Sequence, residues 1–289
     1  MTMLFVLWLA TQTTVLPKGV ILVKGATPSA SDASMPVPEG GVVANGRYLN
    51  RYFGLTYPIP AGWNEQPAGP PPSDSGAYVL GEFALVDGAR VRAHVLLTAQ
   101  DLFFDIRHAA SAKDVVDAAQ RNAAKAFDVE AGAADVTIAG RTFHRLAYKA
   151  RHTPLHWRIL STDTRCHALT FTFSGADVAA LDAAEKALSG LSLRDDGPRC
   201  VPDYAREHVI AKTTPAFTQR YNTIPARVIV DAEGNVKHVH LLSAFPEQSQ
   251  PIIAALRAWR FAPYVVDGKP VEVETGIVFG LPEPSIGSK

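Results

Sequence analysis

The two cysteines and nine histidines of this 289-residue chain offer most of its reactive side-chain chemistry. None of their spacings builds a reaction centre. Cys166-His167 sets a thiol beside an imidazole. Neighbours on a strand point to opposite faces, however, so this imidazole is badly placed to activate that sulfur. His238 and His240 lie two apart on a strand-like segment and share a face. A zinc site needs three or four ligands, and no third is near in sequence, so the pair reads as solvent-facing behind Val239 and Leu241. His152 and His156 are four apart, but Pro154 between them spoils the helical geometry that would join them. Asp195-Asp196 precedes Gly197-Pro198 and reads as a solvated loop, and Trp63 and Trp157 read as core residues rather than a pocket lining. GxSxG, HExxH, Walker A and dinucleotide-glycine patterns do not occur. The sequence therefore specifies no catalytic residue, no cofactor and no metal, and the expectation is a protein that is not an enzyme. A site scattered through the first domain is the weakest alternative. Cys166 and Cys200 fit a single disulfide in an oxidising compartment, although two unrelated thiols would look the same.

Composition narrows the partner class. Lys and Arg number 28 against 28 Asp and Glu, giving a formal net charge of zero. From Gly25 to Cys200 the balance is slightly acidic, and from Val201 onward it is zero. Neither part carries the basic stripe that phosphates require, which argues against nucleic acid. Hydrophobic residues make up 47%, so the chain has ample apolar surface to bury and is not disordered over most of its length. Met1 to Ala10 is an apolar run with the length of a signal-peptide core, but no Lys or Arg precedes it. Residues 1–24 are accordingly expected to be a signal peptide or a truncated anchor, and 25–47 a flexible linker rich in Pro and small residues.

Order is expected from Tyr48. Tyr52 to Pro58 is aromatic and strand-like, and Tyr78 to Leu85 and Arg90 to Thr98 read as a hairpin across Asp87-Gly88. Ser111 caps a helix, with Asp114 in capping-box position and Val116, Ala119, Ala123 and Phe127 along one stripe. Alternating segments follow at 136–139, 142–149, 156–162 and 168–173. A second helix over 177–191 carries Val178, Leu181, Ala184, Leu188 and Leu191 as its buried stripe. Strands, helix, strands, helix is the order of an α+β fold, an antiparallel sheet with covering helices. Through YFGLTYPIPAGW, AGRTFHRLAYKA and the closing LSGLSL, residues 48–198 resemble the PsbP-like α/β/α sandwich family. That likeness implies a binding or assembly role more than a reaction.

The last third is more specific. Ala226 to Asp231 alternates, Asp231 to Asn235 turns, and Val236 to Leu242 returns. Pro251 sits at the first turn of a helix bearing Ile252, Ala255, Leu256 and Trp259. Asp267-Gly268 then leads into a final strand over 271–279. VIVDAEGNV, ALRAWRFAP and DGKPVEVETGIVF, in this order, resemble the TonB C-terminal domain, here over 199–289. The resemblance implies a periplasmic module that captures a segment of an outer-membrane receptor, or another envelope protein, partly by strand addition. The matching candidate edge is Val271, Val273, Thr275 and Ile277. A self-dimerised strand would satisfy the same residues. The family also implies a TonB-type energy transducer for outer-membrane transport. Here the tether is short: even as extended polyproline it reaches only ~50 Å at ~3.1 Å per residue.

Overall fold

The computed structural model describes residues 30–31, 35–67, 69–216, 223–244 and 246–280. The export signal or anchor expected over 1–24 lies outside the described residues. The chain opens with Ala30–Ser31 (β1), Gly41–Ala44 (β2), Arg47–Asn50 (β3), Leu55–Pro58 (β4), Trp63–Glu65 (β5), Ala77–Asp87 (β6) and Arg90–Asp101 (β7). Helix α1 (Ala112–Ala126) follows, then β8 (Asp128–Ile138), β9 (Arg141–Lys149), β10 (His156–Thr164), β11 (His167–Gly175), α2 (Val178–Ala187) and a 3-10 turn over Leu188–Gly190. After β12 (Arg199–Cys200) come α3 (Tyr204–Glu207), β13 (Val209–Ala211), β14 (Ile224–Val230), β15 (Val236–Leu241) and α4 (Pro246–Arg257). The last strands are β16 (Arg260–Phe261), β17 (Val265–Val266), β18 (Lys269–Pro270) and β19 (Val273–Phe279).

The first domain is built on an antiparallel sheet in the order β5-β6-β7-β11-β10-β9-β8. Alternation along its strands gives it two unlike faces. Phe83, Val95, Leu97, Phe143, Leu160, Phe171 and Phe173 point to one side. There they meet Leu181 and Ala184 of α2, Leu188 of the 3-10 turn after it, and Tyr48, Leu55 and Tyr57 of the small β2-β3-β4 sheet. On the other side Val116 of α1 packs on Leu146 and Ile159. The Ser111 hydroxyl accepts from Asp114 N, and the Asp114 carboxylate accepts from the Ala110 amide, so the first turn of α1 is closed from its own sequence.

The C-terminal module is a five-stranded sheet ordered β1-β15-β14-β19-β12. Val228, Val230, Val239 and Leu241 face Ile252 and Leu256 of α4 and Trp259, which lies beyond the helix end at Arg257 rather than on its stripe. Its other face carries Arg227, Ile229, His238 and His240, by the pairings Arg227 to His240 and Ile229 to His238. That face lies against the first domain, so β14 is buried along its whole length. Together the sheets and helices make an α+β protein in which nearly all pairing is antiparallel.

Four further expectations change. The span 25–47 is not all linker, because β2 and β3 form a hairpin across Asn45-Gly46, both at positive φ (50° and 69°). Asn-Gly is the two-residue turn that fits the twist of a hairpin. Gly41 also lets the chain pass over the Tyr48 hydroxyl, where a Cβ would collide. Val178 does not belong to the buried stripe of α2; it is 42% exposed at the helix start, where Asp177 caps the amide of Ala180. Helix α4 begins at Pro246, leaving Pro251 inside it. Pro at a helix start identifies one proline only, and it is the earlier one. Finally, the strand expected from Val271 begins at Val273, because the Val271 amide is spent on Tyr264 O.

Candidate functional site

Where the two modules meet, three charged side chains are buried together, with a fourth, Arg165, half-buried beside them. Arg227 comes from the middle of β14, Glu274 from β19, Asp101 from the end of β7, and Arg165 from the two-residue turn between β10 and β11. Arg227 Nη1 donates to Asp101 Oδ2 at 2.5 Å, and its Nε donates to Glu274 Oε1 at 3.2 Å. Arg165 Nη2 donates to Glu274 Oε2 at 3.1 Å and its Nη1 to Tyr52 O at 2.7 Å. Tyr52 OH also donates to Glu274 Oε1 at 2.7 Å, while the Arg165 guanidinium stacks on the Tyr52 ring at 3.9 Å. Two cations and two anions thus face one another at a buried interface, the condition under which buried charge is tolerable.

Burial acts against the charges of Asp101, Arg227 and Glu274. It pushes the Glu274 carboxyl up, but the opposing pull of Arg227, Arg165 and the Tyr52 hydrogen bond is stronger, so Glu274 sits below the ordinary carboxylate value. His167 is held well below the ordinary imidazole value by burial first and then by the Arg227 charge, and is therefore neutral. Its Nδ1 lies 2.6 Å from Arg165 O. The thiol-base reading of Cys166-His167 fails on a second ground as well, since Cys166 and Cys200 are joined in a disulfide with Cα atoms 5.6 Å apart.

The other histidines also resolve. His240 is not solvent-facing: it is 8% exposed, with Nε2 3.4 Å from Glu39 Oε2, and it borders a cavity of about 20 Å³ shared with Tyr52, Arg227 and Glu274. His238 is half-buried beside it. The solvent reading assumed a sheet wet on one face, whereas the first domain covers that face. His156 Nδ1 contacts Glu130 Oε2 at 3.0 Å, and His152 is exposed in the loop before it. Asp195 pairs with Arg141, and Trp157 stacks on Tyr148 with centroids 5.4 Å apart. Among the described residues no three His, Cys, Asp or Glu side chains are placed to hold a metal.

The candidate edge Val271, Val273, Thr275 and Ile277 is divided by the fold. Val273 and Thr275 are 1% and 0% exposed, inside the module. Thr275 Oγ1 donates to Pro202 O at 3.2 Å. Beside Val273 and Glu274 the outer edge of β19 is already taken, by β12 in parallel pairing. The amides of Arg199 and Val201 donate to the carbonyls of Glu272 and Glu274 at 2.9 and 3.1 Å. Backbone groups at even-numbered positions of β19 therefore point away from β14. Past Val201 the chain turns into α3. Among the described residues no backbone partner faces Gly276 or Val278 on that side. Ile277 and Phe279 pack partly on the module's core, and Val278 is 37% exposed.

Arg227, Glu274, Asp101 and Arg165 were not legible as a site. In sequence each is the polar member of an alternating strand or a turn residue, the usual mark of a solvated face. The one available signal was Arg227 inside Ile224–Val230, a lone charge in an otherwise apolar run.

Taken together these features define a two-module α+β protein whose modules share a buried ion cluster and a disulfide. No protein-family model matches the chain, and no curated protein matches its sequence. Among solved structures it is similar to cyanobacterial PsbP (CyanoP) from Synechocystis sp. PCC 6803, at 16% identity and a TM-score of 0.38, covering 54% of this chain and 96% of that one. It is also similar to LpqN, described as involved in cell envelope biogenesis of Mycobacterium tuberculosis, at 13% identity and a TM-score of 0.36, covering 57% and 91%. No helix among the described residues is long and apolar enough to cross a membrane.

Proposed function

We propose that this is a binding protein of the cell envelope, facing the periplasm. Its PsbP-like first domain carries a C-terminal module of the TonB C-terminal type, and that module receives an extended segment of a partner protein by strand addition. The observation that carries this reading is the outer edge of β19 at Gly276 and Val278, whose backbone groups face outward between the apolar side chains Ile277, Val278 and Phe279. The same sheet already takes up two short segments of its own chain, β1 on β15 and β12 on β19. Main-chain hydrogen bonds supply much of the affinity in such pairing. The disulfide supports an oxidising compartment. The neutral net charge suits a contact made by backbone and apolar groups.

A single proline tests the edge. Because Val278 N–H faces away from β14, Val278→Pro removes an outward donor and leaves the β14–β19 ladder whole. The full chain, crosslinked in the native envelope, is expected to lose captured partner roughly tenfold on this change. A folded Val278→Pro protein that captures the same partner in the same yield rejects this edge as the docking site.

A further inference from the structure

The segment that leads from the first domain into the C-terminal module is fastened covalently at the β10–β11 turn, between Asp195, which pairs with Arg141, and the backbone bonds of Arg199 and Val201 to β19. Gly197 lies on the Arg165 guanidinium so closely that a Cβ there would come 2.7 Å from Arg165 Nε. Three residues on, Cys200 is bonded to Cys166. The fastening point is strained, since Arg165 and Cys166 form the β10–β11 turn with φ of 45° and 59°, the left-handed region that suits glycine. Beyond the disulfide, residues 199–201 hold β19 through two backbone hydrogen bonds, from Arg199 N to Glu272 O and from Val201 N to Glu274 O, while Pro202 O accepts from Thr275 Oγ1 and anchors the start of α3. Strand β12 is two residues long, both side chains are exposed, and its register covers only Val273 and Glu274. By contrast, the ion cluster that joins the two modules uses neither sulfur.

We infer that the Cys166–Cys200 disulfide is a redox latch on the docking edge: its reduction by a dithiol releases residues 199–201 from β19 and lengthens the open edge from Gly276–Val278 to Glu272–Val278. The inference rests on the strand-addition reading, whose site it regulates. Cys200 is exposed while Cys166 is 7% exposed, so the reductant's thiolate attacks Cys200 Sγ. The S–S bond breaks, and Cys166 Sγ leaves and takes up a proton. The reductant's second thiolate then displaces Cys200 Sγ, which is protonated in turn. The products are two cysteine thiols and the oxidised reductant, a transfer of two electrons. The Thr164–His167 pairing and the Arg165 hydrogen bonds to Tyr52 and Glu274 hold the turn in place, so the cross-module ion pairs keep the modules together while the edge opens.

Hydrogen exchange on the full chain, oxidised and after dithiothreitol, reads the release without any partner. Peptides covering 199–203 and 272–276 are expected to exchange roughly tenfold faster once reduced, while those covering β14 and β15 keep their protection. Cys166→Ser/Cys200→Ser should show the fast pattern with and without dithiothreitol. Unchanged exchange at 199–203 on reduction overturns the latch, and so does loss of protection throughout the module, which would make the bond a plain staple. The second arm is envelope crosslinking in the two redox states, with Val278→Pro as the reference. Greater capture by the reduced wild type, abolished by Val278→Pro, supports the gate. Faster exchange with capture equal in both states, and still dependent on Val278, overturns the gate alone. Capture that ignores Val278→Pro fails the docking reading instead.

Discussion

Glu274 is fully buried yet accepts hydrogen bonds from Tyr52, Arg227 and Arg165, side chains drawn from both modules. A carboxylate so placed contributes stability only while it is charged. Burial alone would raise its pKa, but the two guanidinium groups outweigh burial and leave it below the ordinary value of 4.5. A depressed carboxyl stabilises the fold fully above its unfolded value, and that share is lost as pH falls through the folded value. Glu274→Gln keeps the shape, removes the anion and leaves Arg165 and Arg227 with Asp101 as their remaining buried counter-charge. The variant is expected to lose about 3–5 kcal/mol at neutral pH, as when one partner of a buried pair is removed. The gap to wild type should narrow as pH drops below about 4.5. Urea unfolding at neutral and acid pH measures both quantities, and a gap that stays constant with pH would show that Glu274 is not the titrating support of the interface.

At the scale of elements, two turns that each close on a left-handed glycine differ by what packs on them. Gly234 closes the β14–β15 turn at φ 86°, and Gly268 closes the β17–β18 turn at φ 76°. A Cβ on Gly268 would meet nothing within 4 Å, whereas one on Gly234 would come 2.0 Å from Phe261 O. Gly268→Ala should therefore cost only the left-handed penalty, ~1–2 kcal/mol. Gly234→Ala should cost more, since it also forces apart the pairing in which Phe261 N donates to Gly234 O at 2.9 Å. Thermal denaturation of the two variants ranks them, and equal losses would show that φ alone sets the cost. The contrast also marks how far the sequence is legible. The Asp87-Gly88 and Asp267-Gly268 turns, the Ser111 cap and the apolar spacing of Ile252, Leu256 and Trp259 are local signals that read directly, whereas the Asn45-Gly46 turn sits inside a segment that reads as linker. Val273 and Thr275 read as an exposed edge, and His240 as solvent-facing, because their burial is decided by β12 and by the first domain, both distant in the chain.

Across the whole molecule the two modules share more than a linker. Leu242 belongs to the C-terminal module yet is fully buried in the first domain's hydrophobic cluster, and Gly276 lies against Phe103 and Phe104. Add the ion cluster and the disulfide, and neither module has a surface of its own to present where they meet. Cut at residue 199, the C-terminal module would expose Arg227 and Glu274 without their partners and leave Cys200 unpaired. Tests of docking accordingly need the full chain. The intact protein should unfold in one cooperative step. Trp157 in the first domain and Trp259, whose Nε1 donates to Thr213 O at 2.9 Å, serve as one reporter in each module once the other tryptophans are replaced by phenylalanine. Their fluorescence midpoints are expected to coincide. Breaking the disulfide alone should leave them coincident, because the ion cluster remains. Combining Cys166→Ser/Cys200→Ser with Arg227→Met removes the disulfide and the central cation of the cluster, leaves Asp101 without its buried counter-charge and Glu274 with Arg165 alone, and should split the midpoints into two transitions. Separate midpoints in the wild type would mean that the interface carries too little energy to couple the modules, and the ion cluster would then be a passenger of domain contact rather than its cause.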